Sequence, residues 1–309
     1  MDNDTIRRTE PAQPSGPVAA PEARRPGPGA ALRPLVPGMR WLLFIASVLV
    51  LLAGLQLFVF TERTGTFFAW TIANPLAAAF LGAGYWASVS IEALAGRQRL
   101  WANARIAVPS VFVFTVLTLV ATLLHLGQLH LGAHAPVATR TVTVAWIAIY
   151  VLVPALLLVV FAVQARTPGV DPPRSAPLPA WLLAVLAAQA AVLLAVGLAL
   201  FAAPGPAAAM WPWTLTPLLA QATGAWLISL GVAAGHAIRE RDARRLRPAA
   251  FGYILLTALQ VIALLRYPDR FAWTSASGVV YLIFLGSMLL TGVAGLARGL
   301  PRGPRQATR

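Results

Sequence analysis

Residues 66–86, TFFAWTIANPLAAAFLGAGYW, decide the fold once they are read against residues 209–226, AMWPWTLTPLLAQATGAW. Each stretch has an aromatic cluster, a Trp-Thr-hydrophobic step, a polar residue before Pro-Leu, and Gly-Ala seven residues after the Pro. Asn74 and Thr216 suit a helix N-cap, and Pro75 and Pro217 suit the first helical position, where no N–H is needed. Each stretch therefore reads as the start of an apolar helix. Trp70 and Trp213 are expected just outside it, where membrane proteins place interfacial aromatic anchors.

Composition supports a membrane setting. Of 309 residues, 58% are hydrophobic and only 11% charged, too few charges to clothe a soluble domain of this size. Eight stretches are long enough, at about 1.5 Å per residue, to cross a hydrocarbon core of about 30 Å. They lie near 41–60, 75–95, 107–127, 144–164, 181–202, 217–237, 249–266 and 277–297. The fold class is all-α, a polytopic membrane protein of eight transmembrane helices.

All 24 basic residues are arginine. The N-terminal tail, the second, fourth and sixth connections and the C-terminal tail hold 20 of them, and the other connections hold 4. That split predicts cytoplasmic termini by the positive-inside rule. The arginines lie between apolar spans rather than in a basic domain, which excludes nucleic acid as a partner. The expected partners are the lipid bilayer, with anionic headgroups at the cytoplasmic Arg loops, and a membrane protein or a second copy of the chain. Arginine, Ala, Gly and Pro usage points to a GC-rich bacterial genome and so to a bacterial cell membrane. The chain has no cysteine, which removes disulfides and thiol chemistry.

The opening pair belongs to a longer correspondence. At an offset of 142, Pro75, Leu76, Ala78, Gly82 and Ala83 match Pro217, Leu218, Ala220, Gly224 and Ala225. At 139, Pro109, Phe112, Leu117 and Thr118 match Pro248, Phe251, Leu256 and Thr257. Two parallel four-helix repeats are expected, 40–166 and 180–298, joined by a cytoplasmic linker at 167–179. Residues 1–39 read as a disordered Pro/Ala/Arg tail and 299–309 as a basic tail. Small residues at Ala78, Gly82, Ala220, Gly224, Gly231 and Gly235 predict that the second and sixth helices are central and closely packed.

Chemistry is sparse. No ionisable residue falls mid-span, which disfavours proton relays and charged substrate sites; Glu92, at the end of the second helix, is expected within reach of Arg97 and Arg99. Thr118, Gln189, Gln221 and Gln260 are candidate lining residues for a solute pathway. His130 and His134, four residues apart, are the weak candidates for metal ligands. Glu62, Arg63, Arg140, Arg266, Asp269 and Arg270 are candidates for an ion-pair cluster at the outer rim. Pro154 is expected to kink the fourth span. No hydrolase, P-loop or zincin motif is present, so no catalytic residue and no cofactor is assigned.

The stretch TERTGTFFAWTIANPLAAAFLGAGYWAS, continued by VPSVFVFTVLTLVATLLHL, resembles a group of multipass membrane proteins common in actinobacteria. That group has no assigned activity, so the resemblance implies a membrane fold and a bacterial host and no site residue. The leading functional expectation is a non-catalytic scaffold or accessory protein, with Trp70 and Trp213 as its outer-face partner surface. The alternatives are a transporter or channel-like protein for a neutral or lipidic solute, and an integral-membrane enzyme.

Overall fold

The computed structural model describes residues 31–300. Eight of its helices are long and apolar enough to cross a membrane. They are α1 (Pro37–Gly54, continued as a π-turn over Leu55–Val59), α2 (Pro75–Gly96), α3 (Ala107–Leu124) and α4 (Val137–Arg166), then α5 (Ala180–Ala202), α6 (Pro217–Glu240), α7 (Arg247–Arg266) and α8 (Ala276–Gly299). Among the described residues there are only three isolated β-bridges and no strand.

The caps form as their residue types require. The Asn74 side chain accepts from the Leu76 N–H at 3.1 Å, and the Thr216 hydroxyl accepts from the Leu219 N–H at 3.4 Å. The start of α4 lies earlier than hydropathy implies. Its first turns are rich in threonine, and those hydroxyls are satisfied by backbone carbonyls: Thr139 donates to Thr66 O at 2.9 Å and Thr143 to Thr139 O at 2.9 Å. A polar start of this kind costs little when every hydroxyl has an acceptor. Pro154 lies inside the continuous α4.

The main packing contacts close a ring in the order α1, α2, α7, α8, α5, α6, α3, α4 and back to α1. Helices α2 and α6 are the most enclosed, with 67% and 78% of their spans buried, against 28% for α4 and α8. Their central position agrees with the small-residue pattern, and the glycines show which neighbours come close. A side chain at Gly82 would stand 2.5 Å from the Phe58 nitrogen of α1, and one at Gly224 would stand 2.9 Å from the Phe201 nitrogen of α5. The glycines thus admit α1 and α5, while α2 and α6 meet each other where Gly84 lies under the Trp226 ring.

Outward faces carry large apolar side chains, such as Leu265, Ile283 and Leu290, each about 70% exposed. In water such continuous apolar surface would be an aggregation site; against hydrocarbon it costs nothing.

Connections alternate between two faces of the bundle. The terminal face holds residues 31–36, 97–106, 167–179 and 241–246; the distal face holds 60–74, 125–136, 203–216 and 267–275. Residues 1–30 of the expected disordered tail and residues 301–309 lie outside the described residues. Residues 31–39 are a correction to it, because 31–36 are strapped across the terminal face and 37–39 open α1. Leu35 N donates to Arg99 O at 2.9 Å, Trp101 N to Arg33 O at 3.1 Å, and Val170 N to Ala31 O at 3.0 Å. Gln164, fully buried, reads the strap from below: it accepts from Val36 N at 2.9 Å and donates to Pro34 O at 3.0 Å.

Candidate functional site

A cavity of about 390 Å³ lies between α5 and α8, beneath the distal face. Its walls come from Leu193 and Leu200 of α5, Trp226 and Leu230 of α6, Phe284 and Met288 of α8, and Trp211 of the 203–216 turn. Among the described residues no charged side chain lines it, and its polar contributions are few, notably Gln260, Ser277 and Tyr281. Gln260 is held on both sides, donating to Phe80 O at 3.2 Å and accepting from the Tyr281 hydroxyl at 3.2 Å. Lining residues Val192, Val196 and Val280 are 44%, 38% and 61% exposed on the outer surface. The cavity therefore opens sideways, between the apolar outer faces of α5 and α8.

Towards the terminal face the same seam is fastened. The Gln189 amide donates to Ser287 at 3.1 Å and to Thr291 at 3.0 Å, tying α5 to α8. Between α2, α3 and α4 the comparable space is filled by rings. Trp146 and Tyr150 of α4 pack at 4.5 Å, Tyr85 meets Trp226 at 5.1 Å, and Phe114 meets Trp226 at 4.1 Å. The Tyr85 and Tyr150 hydroxyls also bond at 2.6 Å.

The other candidate residues fall elsewhere. Thr118, Gln189, Gln221 and Gln260 are all buried, at 3–7% exposure. The three glutamines act as interhelical or helix-end donors, with Gln221 donating to Phe201 O at 3.0 Å. They do not converge on one water-filled channel; only Gln260 reaches the cavity. Trp70 and Trp213 are a clear correction. Both are 4% exposed, turned inward against Trp146 and Tyr281 at 5.2 and 5.3 Å. Neither offers a surface to a partner, because each ring is packed against other rings inside the bundle.

His130 fastens that loop: its Nδ1 lies 3.0 Å from Phe68 O and its Nε2 3.0 Å from the Thr71 hydroxyl. Both ring nitrogens are thereby engaged, while His134 is exposed beside it. Among the described residues no group of three ligand-type side chains stands together. The expected outer-rim cluster does not assemble either. Arg266 instead donates to Phe58 O at the end of α1 and stacks on the Phe58 and Tyr267 rings at 5.6 and 5.2 Å. Glu92 is 2% exposed, its Oε2 has no hydrogen-bond partner, and no ion pair joins it to Arg97 or Arg99 among the described residues.

One charged cluster escaped sequence reading. On the terminal face Arg105 grips Glu240 by two nitrogens, at 2.5 and 2.8 Å, and Asp171 at 2.6 Å. Arg245 adds a 2.8 Å bond to Glu240, and Arg174 donates to Glu240 O at 2.8 Å. Asp242 accepts four backbone N–H groups, from Ser175, Ala176, Arg244 and Arg245, at 2.5–3.3 Å. Burial opposes ionisation of that carboxyl, but the donors outweigh it and hold its pKa below the ordinary carboxylate value. These residues clasp three connections together, with the ion pairs mutually satisfied. The available signal was that three of the ten acidic residues sit in arginine-rich connections. Comparison with protein-family models, curated proteins and solved structures gave no match.

Proposed function

We propose that the chain is built of two parallel four-helix halves, α1–α4 and α5–α8, and binds a neutral, lipid-like molecule in the α5–α8 cavity. The two-half reading is supported by main-chain bonds that recur at offsets of 142–143. Leu35 N to Arg99 O is answered by Leu178 N to Arg241 O, Trp101 N to Arg33 O by Ala243 N to Ala176 O, and His130 N to Ala69 O by Ala272 N to Pro212 O. The packing order has the same symmetry: α1–α2 with α5–α6, α2–α7 with α6–α3, α3–α4 with α7–α8. The arginine distribution supports a cytoplasmic terminal face in a bacterial cell membrane.

The observation that carries the binding reading is the cavity. Its volume lies in the range of about 300–1,000 Å³ typical of ligand pockets, its lining is uncharged, and its mouth faces hydrocarbon rather than water. An acyl or isoprenoid chain matches that lining; an ion or a sugar does not, because neither finds partners to replace its hydration. The role as a partner scaffold loses its support with the burial of Trp70 and Trp213.

Protein purified in detergent is expected to retain a neutral lipid that organic extraction releases and mass spectrometry identifies. Val196→Trp or Ala199→Trp, each placing an indole at the cavity mouth, should cut retention about tenfold, equivalent to roughly 1.4 kcal/mol. Leu198→Trp, on the same helix but outside the cavity, should leave it unchanged. Equal retention in all three variants would overturn the assignment.

A further inference from the structure

A second concavity, of about 580 Å³, lies over the α2–α7 seam, flanked by Leu51 of α1 and Leu296 of α8. Its floor is apolar, with Trp86, Leu94, Phe251 and Leu259 along its length, and at its terminal-face end stand Arg97, Gln98 and Arg247. Both arginines are exposed, and among the described residues neither has an ion-pair partner. From Arg97 to Trp86 along α2, and from Arg247 to Leu259 along α7, the groove runs roughly 16–18 Å at 1.5 Å per residue. That is about half of a ~30 Å hydrocarbon core, the depth of one leaflet.

We propose that this groove binds one anionic phospholipid, its phosphate between Arg97 and Arg247 and one acyl chain lying along the floor to Trp86. Guanidinium groups suit the task because they match phosphate oxygens with paired donors and shed water more readily than an ammonium. The first turn of α7, which begins at Arg247 and contains no acidic residue, adds its positive end to the same place.

The sequence correspondence explains why Arg247 is free of a carboxylate while its counterpart is not. At an offset of 142, Arg247 answers to Arg105 and Gln98 to Glu240. Arg105 is neutralised by Glu240 and Asp171. Gln98, in the place of the glutamate, leaves Arg247 unpaired and spends its own amide on Leu94 O at 3.0 Å. Arg105 is thus held by carboxylates, while Arg247 keeps its charge free for an anion.

The full-length protein in detergent, titrated with phosphatidylglycerol or phosphatidylcholine of matched chains and read by native mass spectrometry, tests the site. Phosphatidylglycerol should bind in preference, with the preference falling as ionic strength rises. Removing each arginine should weaken it about fivefold, and Arg97→Ala with Arg247→Ala about 25-fold. Arg99→Ala removes the same charge from the same loop outside the groove and should have no effect. Gln98→Glu leaves both arginines in place and installs the carboxylate of the other side, so it should also abolish the preference without disturbing the fold. Retained preference in the double variant, or an equal loss in Arg99→Ala, would overturn the proposal.

Discussion

Glu240 shows how much one side chain decides on the terminal face. It is 2% exposed and accepts from Arg105 and Arg245, while its backbone carbonyl takes Arg174. Glu240→Ala leaves Arg105 and Arg245 with Asp171 as their one shared counter-charge among the described residues. Breaking a buried pair from one side typically costs about 3–5 kcal/mol, so a large drop in the melting temperature in detergent is expected. Asp242 adds a pH dependence. Its folded pKa is lowered, so its contribution is full above the unfolded carboxylate value of about 3.9 and is lost as pH falls through the folded value. Asp242→Asn should lower the melting temperature at neutral pH and flatten its acid limb; an unchanged acid limb would assign that limb to another carboxyl. The buried polar residues give a third outcome. Single cysteines at Thr118, Gln189 and Gln221 should resist a water-soluble thiol reagent from both sides of the membrane, because these positions are packed between helices. Labelling at any of them would restore an aqueous pathway.

At the scale of elements, the two glycines that admit α1 and α5 mark close backbone-to-backbone contacts between helices. Gly82→Ala puts a methyl 2.5 Å from the Phe58 nitrogen, and Gly224→Ala puts one 2.7 Å from Gly197 O. Both neighbours are backbone and neither can swing aside, so each substitution should destabilise by about 1–3 kcal/mol. Gly235→Ala meets nothing within 4 Å and serves as the neutral comparison in the same thermal assay. These helices were legible in advance because a span announces itself by length and hydropathy, and because Pro75, Pro217 and Pro248 mark starts that only a first turn tolerates. The direction of each small-residue face was not legible. Gly82 and Gly224 require a close neighbour, but nothing local says which helix supplies it.

Across the whole molecule, the two proposed halves are interlocked rather than side by side, since α2 packs on α7 and α3 on α6. Residues 1–171 expressed alone should therefore fail to give a monodisperse particle in detergent, while co-expression with 172–309 should recover one. Independent folding of either fragment would contradict the exchanged interfaces. Orientation is open to the same cysteine-free chain. A thiol at Arg244 should be reached by an impermeant reagent only from the cytoplasm, and one at Glu62 only from outside; the reverse would overturn the arginine argument.

Composition, span length and the recurring Trp-Thr, Pro-Leu and Gly-Ala steps were enough to establish eight apolar helices and the starts of α2 and α6, because those properties depend on neighbours within a turn or two. What only the tertiary structure decided depends on residues far apart in sequence. Trp70 and Trp213 turned from a rim to a core when the rings of Trp146 and Tyr281 covered them. Arg105 found Glu240 across 135 residues. The α5–α8 cavity exists because two helices nearly 100 residues apart touch near Gln189 and part beyond it. Burial and voids are properties of pairs of surfaces, and a single stretch of chain carries only one surface of each pair.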